Sequence, residues 1–474
     1  MNRRTLLRAG VGLSTALASG PNKADTPTVP CQCDGLSAAA RFNCETDVCA
    51  EASHDFGNIV HRLPRAVLKP AGTADIAEAI RWAAAQKLKI AARGQGHSTY
   101  GRSMASDGVV VDMGSLNAIR AIGTDRIVVD AGATWKSVLE ATLAQGLTPP
   151  VLTNYLGLSV GGTLAVGGIG GTSSRFGMQS DQLIELDVVT GDGRELKCSR
   201  ESNPDLFDAM RGGLAQCGII TRATLALVRA PERVRRYQLF YRDLASLVAD
   251  QRSVLAADRF DQLQGAIIPD GKRGWRYQLE GAVHYSGSIP DNRTVLAGLS
   301  DIRDAAVITD LTYHDDARVF EKLETLLRSK ELWYRPQPWL FTFLPGSKAE
   351  RAAGELMRGL SGDDVGTFGR VTFYPMLTKA FGSPLVRLPD DSTAFPFNVV
   401  RVAADKEKVG QMVAQNHALY DRVREAGGVL YPVSAFPMSS DGWKQHFGSR
   451  WPQFAEAKRR YDPEHLLTPG YEMF

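Results

Sequence analysis

The 474-residue chain carries 55 Lys and Arg against 52 Asp and Glu, a net charge of +3, which excludes the strongly basic balance of a nucleic-acid binder. Hydrophobic residues make up 44% and charged residues 23%, with 46 glycines, which excludes wholesale disorder or a collagen-like chain and predicts a large core spread over two or three domains. No stretch approaches the roughly 18 consecutive apolar residues of a membrane span, so no stable membrane insertion is expected.

The first 18 residues hold Arg3, Arg4 and Arg8, no acid, and a short apolar run ending in Ala16-Leu17-Ala18. This pattern reads as an export signal over 1–18, and the Arg3-Arg4 pair is the twin-arginine arrangement of proteins exported already folded, which predicts a periplasmic or secreted protein. Residues 19–55 contain Cys31, Cys33, Cys44 and Cys49, read as disulfide partners in an oxidising compartment rather than a metal site. Their spacing leaves the pairing open, and no metal is expected.

From Pro64 onward short β-rich runs alternate with helical patterns. Thr73 can cap a helix whose Ile76, Ala79, Ile80 and Ala83 share one face. Strands are expected at 89–92, 109–111 and 127–129. Thr134 can cap a helix carrying Val138, Leu139, Thr142 and Leu143, ended by Gly146. Leu183 to Val189 and Arg194 to Cys198 flank Gly191-Asp192-Gly193, a hairpin signal. Asn203-Pro204-Asp205 opens a helix through Met210, and a strand runs from Ile219 to Val228. This α+β unit, residues 56–235, closes near 235. Residues 236–430 differ in texture, with an aromatic-rich strand around Trp275 to Tyr285, a charged helix near Asp316 to Lys330 and an amphipathic helix from Asp405 to Glu425, and form a second domain.

Two glycine loops are candidates for chemistry. Arg93-Gly94-Gln95-Gly96-His97-Ser98 follows a predicted strand; its glycines let main-chain N–H groups approach a phosphate, with Arg93 and Arg102 available for charge. The spacing is not the usual dinucleotide fingerprint, and no acidic residue closes a βαβ unit about 20 positions later, which disfavours a nicotinamide cofactor. The run from Ser159 to Gly171 is too glycine-dense for an ordinary helix or strand interior, so backbone should meet a ligand closely there.

ARGQGHSTYGRSMASDGVVVDM, YLGLSVGGTLAVGGIGG, QLIELDVVTGDG and NPDLFDAMRGGLAQCGIITRA together resemble the flavin-binding domain of the vanillyl-alcohol oxidase class. Within that class the chain is most similar to bacterial cytokinin dehydrogenase-like proteins, with further matches in EGAVHY, PQPWLFTFLPGS, DGWKQHFG and YDPEHLLTPGYEMF. The resemblance implies a two-domain α+β protein: a PCMH-type FAD-binding fold, a second α+β substrate domain, and a tail, 431–474, that returns to the first. It implies FAD joined covalently to His97. Cofactor contacts would come from Arg93, Gly94, Gln95, Gly96, His97, Ser98 and Arg102, from Ser159, Gly161, Gly162, Ala165 and Ile169, and from Ile220. Relatives that tether FAD twice use a cysteine where this chain has Tyr155, and Cys217 lies too far along to replace it, so a single tether is expected.

The family's catalytic aspartate falls at Asn154, and a glutamate at the mouth of its substrate channel falls at Glu280. Asparagine accepts a hydrogen bond through its amide oxygen but carries no charge and takes no proton. Trp339 is placed where an aromatic face can stack a planar ligand, and Trp443 and His446 near the flavin edge. The implied activity removes hydride from a carbon beside an amine nitrogen and passes the electrons to oxygen or a quinone. Asn154 leaves two other expectations open: an oxidase of alcohols or sugars, with Tyr155 or Glu280 as base, and a binding protein that has lost catalysis.

Overall fold

The computed structural model describes residues 42–272 and 274–474. The export signal, Cys31 and Cys33 lie outside the described residues. Cys44 is disulfide-bonded, while Cys198 and Cys217 are free buried thiols.

The first half of the chain builds two larger sheets and one two-stranded sheet, Leu147–Thr148 with Val228–Arg229. Three short strands, Ala66–Leu68, Val109–Asp112 and Ile90–Arg93, pair in parallel, with Phe42–Asn43 added antiparallel at the edge. Apart from the terminal Arg93 and Asp112, the residues of the three parallel strands are apolar, the pattern of a buried parallel sheet. Helix Thr73–Ala85 buries Ile76, Ala77, Ala79, Ile80 and Ala83; Thr73 is its first turn rather than its cap, a position taken by Gly72. The second sheet is antiparallel, in the order Ile119–Ile122, Arg126–Asp130, Gly218–Ala226, Leu183–Thr190, Glu195–Ser199. The hairpin between the last two turns at Gly193, whose φ of +77° suits glycine. Thr134 caps helix Trp135–Leu143 by accepting from the Ser137 N–H, and Gly146 follows its end with φ +68°.

The second half is one antiparallel nine-stranded sheet that begins at Arg233, slightly before the expected boundary. Its central strands are Trp275–Tyr285, Gln262–Pro269, Arg370–Phe373 and Thr393–Val400. Successive residues point to opposite faces. Leu263, Leu279, Val371, Phe373, Phe397 and Val399 pack into a buried core that also holds side chains of helices Leu244–Ala256, Ala349–Arg358 and Lys406–Glu425. Their neighbours Gln264, Glu280, Arg370, Thr372, Asn398 and Val400 face a cavity. The expected charged helix is two, Tyr313–Ala317 and Phe320–Ser329, and the second turns Phe320, Leu323 and Leu327 onto the same cavity.

The C-terminal segment packs on the first half. Helices Ser440–Phe447 and Trp451–Tyr461 contribute Trp443, Phe447 and Phe454 to its core, and Leu467 forms a parallel bridge to Ile90. Lys458 completes the attachment: its buried ammonium donates to the Gln216 carbonyl at 2.8 Å and to Asp462 at 2.6 Å. Removing one partner of such a pair typically costs about 3–5 kcal/mol.

Candidate active site

A cavity of about 480 Å³ is bounded by the first glycine loop, the 153–169 segment and the inner face of the large sheet. All predicted cofactor-contact residues line it except Arg93. The strand before the loop explains the exception: Ala92 faces the cavity, so Arg93 faces the other way. Its guanidinium donates to the His54 carbonyl at 2.6 Å and the Glu51 carbonyl at 3.4 Å, bracing the N-terminal segment instead of meeting a ligand.

Asp55, which sequence reasoning missed, shapes the loop. Its carboxylate accepts from Ser98 Oγ at 2.7 Å, from the Gly101 N–H at 2.6 Å and from the Asn58 N–H at 3.2 Å, and burial pushes its pKa up. Gly96 has φ +62°, and a Cβ there would sit 2.4 Å from Arg93 Nη2. Held this way, the main-chain N–H groups of Gln95, Gly96, His97, Ser98 and Thr99 donate to no protein acceptor among the described residues. Five successive main-chain donors without a protein partner, on residues that line the cavity, suit an anion such as a pyrophosphate.

The second loop corrects an expectation, because Val160–Val166 is a seven-residue helix despite Gly161 and Gly162. It starts where the Val160 and Gly161 N–H groups donate to the Ala133 and Ala131 carbonyls, each at 2.8 Å. A Cβ on Gly161 would come within 2.8 Å of Ala131 Cβ, so glycine pays its helix penalty for close approach between segments. A Cβ on Gly94 would lie 1.9 Å from Ser159 Oγ, so the two loops touch only because glycine stands there.

His97 lies in a nest of rings. Phe56 stacks on its imidazole at 3.9 Å between centroids, with Tyr155 at 4.9 Å, Trp333 at 5.8 Å and Trp339 at 6.1 Å. Burial, aided by the Arg328 charge, pushes its pKa down to about 3, so the imidazole is neutral with a nitrogen lone pair available for bonding. Tyr155 offers no base: burial raises its phenol pKa, and its oxygen lies 3.5 Å from Glu324.

Asn154 is exposed to this cavity and to a second one of about 440 Å³, and Glu280 lines both. Glu280 occupies a strand paired on both sides, so it is not a sheet-edge carboxylate. Gln278 Nε2 donates to it at 2.6 Å, and guanidinium nitrogens of Arg370 and Arg236 approach it at 3.6 Å and 4.0 Å. Trp339 lines the cavity as expected, and its buried indole N–H has no partner among the described residues. Trp443 and His446 do not line it. Trp443 is core, donating to the Tyr471 carbonyl at 2.9 Å, and His446 is buried beside it. Cys217 also lies off the cavity, its thiol pushed up to about 12 by burial.

The residues present fit FAD. Beside the row of amide donors, three buried polar atoms on cavity-lining residues lack partners among the described residues: Arg102 Nε, Trp339 Nε1 and Thr372 Oγ1. Such atoms are costly unless a ligand pairs with them. Arg102 is locked in place by the Gly470 and Phe436 carbonyls at 3.0 Å and 2.9 Å.

Fold and site together define an FAD-dependent oxidoreductase with separate cofactor and substrate regions. Residues 64–199 match the family described as FAD binding domain, and residues 263–474 match the family described as cytokinin dehydrogenase 1, FAD and cytokinin binding. The chain is 42% identical over 423 residues to the "Uncharacterized oxidoreductase ORF5 in fasciation locus" of Rhodococcoides fascians, covering 89% of this chain and 96% of that one. It is 34% identical to cytokinin dehydrogenase 7 of Oryza sativa subsp. japonica, over 93% of this chain and 92% of the relative. With cytokinin dehydrogenase 3 of Arabidopsis thaliana the identity is 32%, over 92% and 90%. The chain belongs to the cytokinin dehydrogenase family.

Proposed function

We propose that this protein is an exported amine-oxidising enzyme of the cytokinin dehydrogenase type, with FAD joined covalently to His97. The observation that carries this reading is the convergence of three groups on one cavity: a half-buried, neutral imidazole, the Asn154 amide and the Glu280 carboxylate. When bound, FAD supplies the acceptor for a hydride from the carbon beside the substrate's nitrogen; water then splits the resulting imine into amine and aldehyde, and oxygen or a quinone receives the electrons.

The protein's own groups bind and orient the substrate. Trp333, Trp339 and Phe341 provide apolar faces for a planar ring, and the free Trp339 N–H and Thr372 hydroxyl offer polar partners. The Asn154 amide oxygen accepts from the substrate's N–H. Because it carries no charge, stabilisation of the positive charge that develops at that nitrogen falls to Glu280, the one carboxylate lining the cavity among the described residues.

Asn154 also favours a second reading, an oxidase of alcohols or sugars, in which no cationic nitrogen forms. Anaerobic bleaching of the flavin separates the two. Isopentenyl adenine should bleach it and simple alcohols and sugars should not; bleaching by the latter alone rejects the amine assignment. Colourless protein from cells well supplied with flavin would reject both in favour of a binding protein. Adding oxygen or a quinone to the bleached enzyme then identifies the acceptor.

A further inference from the structure

The second cavity opens beside the first and shares residues with it, among them Asn154, Glu280 and Arg370. Its charges do not balance: Arg236, Lys322 and Arg370 face Glu280 and Asp316. Arg236 is neutralised directly, donating to Asp316 at 2.7 Å. Lys322 is exposed and has no ion-pair partner among the described residues. Arg370 is the unusual group. Its guanidinium makes no hydrogen bond among the described residues, and its one counter-charge there is Glu280 at 3.6 Å, a carboxylate already engaged by Gln278 and shared with Arg236. A planar fork of five donors, half-buried and making no hydrogen bond to the described residues, thus stands where the two cavities meet.

The neutral residue at position 154 points the same way. A carboxylate there would add a negative charge to this junction and repel an anion; an amide does not.

We propose that the second cavity is an anion-recognising extension of the substrate site, with Arg370 as its specificity-determining residue and Lys322 as an auxiliary charge. The substrate then consists of a planar, amine-bearing part in the first cavity and an attached phosphate or carboxylate in the second. This deepens the proposed function, and rests on it only for the identity of the planar part. A guanidinium–oxyanion hydrogen bond is stronger than one between neutral groups, and its fork geometry suits phosphate and carboxylate alike.

Calorimetric titration of the flavin-bearing protein tests this without requiring turnover. The probes are adenosine against adenosine 5′-monophosphate, and 9-methyladenine against 9-carboxymethyladenine. At least one anionic probe should bind about ten-fold more tightly than its neutral counterpart at low salt, with the advantage shrinking as salt rises. Preference for the phosphate alone identifies a nucleotide-like substrate, and preference for the carboxylate alone identifies an acid close to the ring. Arg370→Gln should abolish the preference and Arg370→Lys should keep part of it. Asn154→Asp, a second route to the same test, should reduce it. Equal binding of neutral and anionic probes overturns the proposal, as does a preference that survives Arg370→Gln. Failure of isopentenyl adenine compounds to bleach the flavin is a separate readout, which would remove the amine-oxidase reading and leave the anion site standing.

Discussion

The cavity has two walls built from different chemistry. On the side of residues 94–103 the cavity is lined by a run of main-chain donors around the His97 and Arg102 side chains, with glycines at the points of closest approach. On the side of the large sheet they are side chains projecting from strands far apart in sequence, among them Gln264, Glu280, Arg370, Thr372 and Asn398. The first wall recognises through backbone geometry, so it changes little unless a glycine or an anchor such as Asp55 changes. The second recognises through side chains on a rigid scaffold, so one substitution can alter the substrate while the fold persists. A constant cofactor and a variable substrate are the natural occupants of the two walls.

The largest effect expected from breaking the first wall is at His97. Replacing it with Ala should abolish flavin that stays with the polypeptide after acid precipitation, whether or not FAD still binds reversibly through the amide row. Undiminished acid-stable flavin in the variant would place the tether elsewhere. On the boundary between the walls, Asn154→Asp should raise the rate of amine-driven flavin reduction by an amount equivalent to about 2–4 kcal/mol, the size of other charge contacts made to a transition state. Rapid-mixing measurement of reduction, separate from reoxidation, reads this directly. An unchanged rate would mean that the substrate's nitrogen does not lie against this residue.

Gly94→Ala comes next. The new methyl collides with Ser159, and overpacking of this kind costs about 1–3 kcal/mol. Chemical denaturation of the variant should show that loss together with lower flavin content. Removing the obstructing side chain with Ser159→Gly should restore part of both, and the coupling in that double-mutant cycle measures how tightly the two loops depend on each other.

How much of each wall can be read in the sequence follows from the same contrast. The first wall is local, and a strand followed by R-G-x-G-H-S already announces it. The Thr134 cap, the helix beginning at Asp405, the Gly193 hairpin and the strand Trp275–Tyr285 are likewise where short-range patterns place them. Arg93 misled because motif reading ignores alternation along the strand, which turns it toward His54. Asp55 and Phe56 were missed because they reach the loop through space from a segment without a motif. The second wall depends on strand register: Arg370 meets Glu280 only because Arg370–Phe373 and Trp275–Tyr285 flank Gln262–Pro269, an order no local window contains. Trp443 and His446 show the converse, a motif that the family resemblance marks as functional and the fold uses as core.

His446 supplies the smallest of these effects and the clearest check that it belongs to the core. Both of its ring nitrogens are buried without partners among the described residues, and burial holds its pKa down at about 3, with Arg387 nearby adding to the shift. In the unfolded chain an imidazole takes a proton near pH 6.5. Between these values the unfolded state binds the proton and the folded state does not, so stability falls as the pH drops from about 6.5 toward 3. Other titrating groups add their own shares to the wild-type slope. His446→Phe removes one share and fills the site with a ring that needs no hydrogen bond. The loss of stability between pH 7 and pH 5 should therefore shrink by about 1–2 kcal/mol, measured as the shift in denaturant midpoint at each pH, while flavin content and reduction rate stay at wild-type values. A variant that folds with the full acid sensitivity but reduces flavin slowly would return His446 to the catalytic wall.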